Sequence, residues 1–375
     1  MTRPRVCYIY SEQPDYVRSE KVLKTLTELE ADFFYIGCCR GNQRKRPIQS
    51  KSNQKYFVAN FSIPHGGFLS ALSTLRFICY AIYKVLKIQP KLIIAVNEEL
   101  ALPFVIFFPT KKVICEAYDS LSMRSSKKRK ILNKILKTIS RFALSKCNAL
   151  VEVSADRLNA HEIKPPKSLV VPNSLNKENY PDIKTIPEKL KSIVSNKKYI
   201  FVSGSFSDNI NGLEELLKAI ELLDDDLTVI AAGRPNGKWV NTEFIRHRLV
   251  RYIGVLSSSE ATFVASKSKA LFAYYKPISD LYKYAAPNKI FDAMALGVPI
   301  LMNKECFASR FPEDNAFGLS ASYEDINHLS KNLGIVSSGA LEYDPSEVIK
   351  LFEAEYEWSV TSKKYKELAN FFLQN

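Results

Sequence analysis

Histidine is scarce in this chain of 375 residues: there are four, and they lie far apart. The seven cysteines include the neighbours Cys38 and Cys39 but no CxxC spacing. No zinc centre, and no metal site of any kind, is expected from such dispersed ligands. An odd number of scattered cysteines fits free, mostly core thiols in a reducing compartment. Neither G-x-x-x-x-G-K-[ST] nor G-x-G-x-x-G occurs, which removes the main support for a P-loop NTPase or a dinucleotide-dependent dehydrogenase. Repeats and low-complexity tracts are also missing. The start runs straight into the strand-like Val6–Tyr10, so no secretory signal is expected. The longest apolar stretch, Phe68 to Ile88, is interrupted by Arg76, Lys84 and Lys87 and is not expected to span a bilayer.

What is present is length and positive charge. The chain is too long for one typical domain, so two are expected. Its net charge of +14 is uneven. Residues 1–180 carry 30 Lys and Arg against 14 Asp and Glu, a balance of +16, whereas residues 181–375 carry 23 against 25, a balance of −2. A basic half of this kind should meet an anionic membrane surface, a phosphorylated lipid or an acidic glycan. No nucleic-acid-binding module is recognisable, so nucleic acid is not an expected partner.

Both halves alternate strand-like and helix-like segments. In the first, strands are expected at 6–10, 33–36, 56–61, 91–96, 112–115, 149–153 and 168–171. The intervening helices fall at 16–29, 68–88, 98–108 and about 125–146. The apolar run Lys91–Val96 has the character of a buried parallel strand. A polar, Pro-containing stretch from Asn176 to Asn196 reads as an interdomain linker. Strands at Tyr199–Gly204, Leu227–Ala232, Ala270–Tyr274 and Ile300–Leu301 then restart the pattern, with a helix at 211–223. Ser257-x-x-Glu260 is a capping-box signal for another helix. The fold class expected is α/β, two doubly wound domains with boundaries near 180 and 358. Helices at 345–355 and 359–374 end the chain.

One helix, Pro287 to Gly297, has sharply marked ends. Proline suits the first helical position, Gly297 can close the helix in the left-handed region, and Pro299 stops any continuation. Ile290, Phe291, Met294 and Ala295 form its apolar face. Ala286 in the cap position satisfies no N–H group, and Lys289 opposes the helix dipole at a cost of about 0.3–1 kcal/mol. A bound phosphate would repair both defects; a water-capped end with Lys289 in solvent is the alternative. In doubly wound domains ligands bind beyond the C-terminal ends of the strands. Three expected strand-to-helix turns there are Ser203–Ser207, Gly233–Gly237 and Lys276–Asn288.

The run Pro287-Asn288-Lys289-x-Phe291-Asp292-x-Met294-Ala295-x-Gly297-x-Pro299 resembles the donor-site helix of glycosyltransferase family 4 and related GT-B enzymes, commonly P-N-K-x-x-E-x-M-A-x-G-x-P. Val171-Pro172-Asn173-Ser174-Leu175-Asn176 is similar to the family's V-P-N-G-V-D. Phe201 to Ser205 with Leu213 to Ile220 resembles its F-V-G-R…L-L-x-A-I, and Glu116-Ala117-Tyr118-Asp119 its acidic Y-D-x-H-E region. Trp358-Ser359 resembles the start of the helix that crosses back to the first domain. The resemblance implies two Rossmann-like domains facing each other across a cleft. It also implies metal-independent sugar transfer with retention from a UDP- or GDP-sugar, without a cofactor. Donor contacts would fall on Gly204, Ser205, Asn288, Lys289 and Asp292, with Tyr284 at the position of the family's first glutamate and Arg234 as a substitute cation. Asp119, Glu116 and Lys289 are the candidate catalytic residues, and Asn97, Glu98 and His65 lie on the acceptor side.

Two departures qualify the resemblance. Ser205 and Asn211 replace the family's usual Arg and Lys, and Asp292 is one methylene shorter than the usual Glu. A non-catalytic nucleotide-sugar-binding scaffold, an inverting enzyme and a nucleotide-sugar epimerase are the alternatives. The helix around Arg124 to Lys137, basic with Ile131, Leu132, Ile135 and Leu136 on one side, suits an anionic membrane, or else packs on its own sheet. The location expected is the cytoplasmic face of the cell membrane, in surface-polysaccharide synthesis (capsule, lipopolysaccharide or exopolysaccharide), on a lipid-linked or anionic glycan acceptor.

Overall fold

The computed structural model describes residues 3–14, 17–41, 43, 53–64, 67–124, 130–176, 180, 182–195 and 197–375. The chain divides into two compact units: Met1–Val171 with Thr361–Asn375, and Pro172–Val360. The first division thus falls earlier than the expected boundary near 180.

Unit 1 runs β1 (Arg5–Ile9), α1 (Val17–Leu26), β2 (Asp32–Arg40), β3 (Gln54–Ile63), α2 (Gly67–Ile88), β4 (Leu92–Val96), α3 (Glu98–Phe107), β5 (Lys112–Glu116), α4 (Lys130–Lys146), β6 (Ala149–Glu152), α5 (Ala155–Ala160) and β7 (Lys167–Val170). Its seven strands, all paired in parallel, lie in the order β3-β2-β1-β4-β5-β6-β7. The direction of travel reverses between β1 and β4, which is the topological switch point of a doubly wound sheet. β4 is buried along its whole length, as its apolar sequence requires of a central parallel strand. Helices α2, α3 and α4 share one core with it, through Phe77, Ala81, Phe104 and Leu144.

Unit 2 runs α6 (Glu188–Val194), β8 (Tyr199–Ser207), α7 (Leu213–Glu221), β9 (Thr228–Asn236), α8 (Lys238–Thr242), β10 (Val250–Tyr252), α9 (Ser258–Ser266), β11 (Ala270–Ala273), α10 (Asp280–Lys283), α11 (Lys289–Leu296), β12 (Ile300–Asn303), α12 (Arg310–Asp314), β13 (Gly318–Ala321), α13 (Ile326–Ser338) and α14 (Pro345–Leu351). The parallel order β10-β9-β8-β11-β12-β13 repeats the topology, with the switch point between β8 and β11. A last helix, α15 (Trp358–Gln374), belongs to unit 1 from Thr361 onward. Its Tyr365, Ala369 and Phe372 are buried, and Lys366 pairs with Glu28 at 2.6 Å.

Three differences from the sequence reading have physical causes. The expected linker contains α6, whose Leu190, Ile193 and Val194 enter the core of unit 2. Gly204 and Gly233 do not end their strands. β8 and β9 continue in register past them, Gly204 opposite Gly233 and Ser205 opposite Arg234. A Cβ on Gly233 would fall 1.8 Å from the Gly204 carbonyl oxygen, so the close pairing needs glycine there. Finally, β10, β13 and α13 give too short or too mixed a pattern to be read from periodicity. The capping box at Ser257 and Glu260 forms as expected.

Candidate functional site

In unit 2, helix α11 begins two residues later than Pro287 suggests, at Lys289 with Asn288 in the cap position. Asn288 has helical φ and ψ and its side chain makes no capping hydrogen bond. The start therefore lacks a side-chain cap, though Asn288 rather than Ala286 holds the position. Ile290, Ala293, Met294 and Ala295 bury the inner face, while Phe291 packs at its margin on Tyr356, ring centroids 5.5 Å apart. Gly297 closes the helix at φ 60°.

Lys289 is partly buried and lines a pocket with Val202, Ser203, Ser205, Asn211, Tyr274 and Tyr275. Apart from Asn211, in the loop before α7, these residues come from β8 and the end of β11, so the pocket lies at the switch point of unit 2. A Cβ on Gly204 would stand 3.8 Å from Lys289 Nζ, which places the β8 backbone beside the ammonium. Among the described residues Lys289 makes no ion pair. Burial lowers its pKa below the ordinary lysine value, and the charge of Asp292, one turn on, opposes that shift. A desolvated cation beside exposed backbone and hydroxyl groups is what a phosphate oxygen complements.

The structure thus brings Gly204, Ser205 and Lys289 together, with Asp292 near by. The other donor-side candidates do not line this pocket. Tyr284 packs on Phe307, centroids 4.9 Å apart, Asn288 is exposed, and Arg234 is exposed on β9. Asn211, where the family has a lysine, accepts a hydrogen bond from Ser207 N at 2.7 Å and so fixes the loop before α7. Ser203 belongs to the expected turn Ser203–Ser207, whereas the sequence reading does not single out Tyr274 and Tyr275; their places at the end of a strand beside the switch point are the available signal.

In unit 1 the carboxylates divide. Glu116, expected to be catalytic, is fully buried at the end of β5. Its Oε2 accepts from Tyr8 at 2.9 Å and Tyr365 at 2.8 Å, and its Oε1 from Arg18 Nε at 3.0 Å. Burial first, and then the Glu116 charge, hold both phenols protonated well above their ordinary range, so they remain donors. Glu98, expected on the acceptor side, is equally buried and accepts from Ser120 Oγ at 2.5 Å, Ser140 Oγ at 2.8 Å and Leu121 N at 3.0 Å. In the structure both groups organise the sheet edge, with their oxygens accepting from protein donors.

Asn97, at φ 67°, accepts from the backbone N–H groups of Tyr118 and Asp119 at 2.8 and 2.9 Å, so it too builds the loop. Asp119 is exposed at the top of that loop. A further buried set escaped the sequence reading, since Glu152 meets His161 at 2.7 Å and Arg157 at 3.0 Å. His65 lies outside the described residues. Those residues contain no group of three or more His, Cys, Asp or Glu able to hold a metal ion.

No protein-family model matches the chain, and no curated protein matches it by sequence. Solved structures do match. Sucrose-phosphate synthase from Thermosynechococcus elongatus superposes with a TM-score of 0.77 over 99% of this chain and 100% of its own, at 12% identity. HepE from Anabaena, in complex with UDP and glucose, gives 0.66 over 98% and 99%, also at 12% identity. The lipopolysaccharide outer core galactosyltransferase WaaB gives 0.62 over 96% and 98%, at 13% identity. The chain has the GT-B fold. At these identities the likeness concerns the fold, and the narrower resemblance to family 4 rests on the sequence motif.

Proposed function

We propose that the chain is a glycosyltransferase moving a sugar from a nucleoside diphosphate donor, bound at Lys289, Gly204 and Ser205, to an acceptor held by unit 1. The observation that carries this reading is Lys289, a partly buried cation that makes no ion pair among the described residues, at the switch point of a parallel sheet. When the bond from the anomeric carbon to the diphosphate breaks, its electron pair stays on the departing phosphate oxygen. A lysine and an uncapped helix start stabilise that charge where it develops. Asp292 then serves the ribose, and Asp119, the exposed carboxylate on the unit 1 loop, orients the acceptor hydroxyl under retention. Under inversion it would accept the hydroxyl proton. No metal ion is needed in this scheme.

The UDP and glucose bound by HepE and the lipopolysaccharide substrate of WaaB support a UDP-sugar donor and a surface-polysaccharide acceptor, including a lipid-linked one. A second reading, nucleotide-sugar binding without turnover, is favoured by Ser205 and Asn211, which leave Lys289 as the sole cation among the residues lining the pocket. The deciding experiment presents a panel of nucleotide sugars with a bacterial lipid and glycan extract and measures nucleoside diphosphate release. Transfer with one donor is expected, and Lys289→Ala should lower kcat/KM about 100-fold. Tight donor binding with no release across the panel would give the second reading instead.

A further inference from the structure

Helices α2 and α4 share a feature that packing within unit 1 does not explain. Over the first ten residues of each, 67–76 and 130–139, no side chain is buried. Burial starts at Phe77 in α2 and at Ser140 in α4. These stretches are nonetheless apolar. Phe68 is 75% and Ile131 79% exposed, and Leu69, Leu72, Leu132 and Ile135 are exposed as well. The second half of α2 is a core element, with Phe77, Ala81, Val85 and Ile88 buried against the sheet. Although α2 has the length and mean hydropathy of a membrane span, that half cannot enter lipid while the domain is folded.

The charges on these two helical stretches have one sign. Residues 130–139 contribute Lys130, Lys134 and Lys137, residues 67–76 contribute Arg76, and neither stretch contains an acidic residue. Both helices follow strands of a parallel sheet, β3 and β5, and pack on the same face of it. Their starts therefore lie toward the C-terminal strand edge, which also carries Asn97 and Asp119. Ten helical residues extend about 15 Å, enough to reach through the headgroup layer and place apolar side chains about 5–10 Å deep, with lysines among lipid phosphates.

We propose that the exposed starts of α2 and α4 form a two-pronged docking surface for an anionic lipid bilayer, inserted into one leaflet without spanning it. This goes beyond the glycosyl-transfer reading and does not depend on it, because lipid binding is measured without donor. It would hold the acceptor edge of unit 1 at the headgroups, where a lipid-linked acceptor presents its sugar.

The test is sedimentation of the full chain with vesicles of phosphatidylcholine containing about 30% phosphatidylglycerol, against pure phosphatidylcholine. Leu72→Glu and Ile135→Glu are compared singly and together, with thermal melting and UDP binding as controls for folding. We expect retention on anionic vesicles that falls with salt, and about tenfold or greater loss in the double variant with melting and UDP binding unchanged. Undiminished retention of the double variant, equal retention on neutral vesicles, or no retention of the wild type would overturn the proposal. So would a concentration-dependent dimer that the same substitutions abolish, because a second copy would then be the occupant.

Discussion

Glu116 of unit 1 and Lys289 of unit 2 both lie at the C-terminal edge of a doubly wound parallel sheet, yet their charges are met differently. Glu116 is buried and surrounded, with Arg18, Tyr8 and Tyr365 as donors to its two oxygens. Lys289 is partly buried with its pKa lowered, beside a glycine backbone and a serine. A charge whose hydrogen-bonding capacity is filled from within the fold stabilises that fold. A charge desolvated without such filling costs stability, and the cost is recovered only when a ligand supplies the counter-charge. Position at a sheet edge therefore does not distinguish a site from a scaffold; the state of the charge does.

The largest effect that tests this contrast is on stability. Glu116→Ala leaves the Arg18 guanidinium buried without its counter-ion and frees two phenols from their acceptor. Removing one partner of a buried pair costs about 3–5 kcal/mol, to be read as a shift in the urea midpoint. Because Tyr365 belongs to α15, the variant should also release that helix, which faster amide exchange across 361–375 would report. A loss below 1 kcal/mol with a full loss of turnover would instead make Glu116 a reacting group.

Lys289→Met is predicted to move the two properties in opposite directions. It keeps the aliphatic stem but removes the desolvated charge, so the unfolding midpoint should hold or rise. UDP affinity should fall about 100-fold, about 2.7 kcal/mol. A fall in both would mean that the lysine is a structural group like Glu116, and the comparison would collapse.

The pH dependence sharpens the same point. The folded-state pKa of Lys289 lies below its unfolded value, so the unfolded chain binds more protons between the two. The stability penalty is therefore fully present below the folded pKa and is relieved as pH rises toward the ordinary lysine value. Donor binding needs the ammonium and runs the other way, weakening as pH rises through a value below that of an exposed lysine. Calorimetric titration of UDP across this range, with Lys289→Arg as the variant that stays charged, would show the weakening in the wild type alone.

Much of this arrangement was legible before the structure. Buried parallel strands read as continuous apolar runs, which revealed two doubly wound domains. The Pro and Gly that bound α11 located the helix, its end at Gly297 and its start to within two residues, and Lys289 stood out as a cation on the wrong end of a dipole. Helix α6 was hidden by Glu188, Lys189 and Lys191 and by the neighbouring Pro187. The roles of Glu116 and Glu98 were hidden for a different reason: their partners are distant in sequence, with Tyr365 lying 249 residues beyond Glu116. Strand-end carboxylates look alike in one dimension, and only the fold shows which have been consumed by it.

Asp119 is a carboxylate at that edge that the fold has not consumed, and it should show the smallest effect. Its N–H is held by Asn97 and its carbonyl oxygen accepts from Arg124 at 2.6 Å, so the loop keeps its shape without the carboxylate. Asp119→Asn should therefore change stability by less than about 0.5 kcal/mol. If Asp119 only orients the acceptor hydroxyl, the loss of one hydrogen bond of about 1 kcal/mol lowers kcat/KM for the acceptor about fivefold, while UDP affinity is unchanged. A general base would be worth about 10²–10⁴ in rate. The size of this one effect therefore separates a retaining enzyme, in which no protein base is required at that position, from an inverting one.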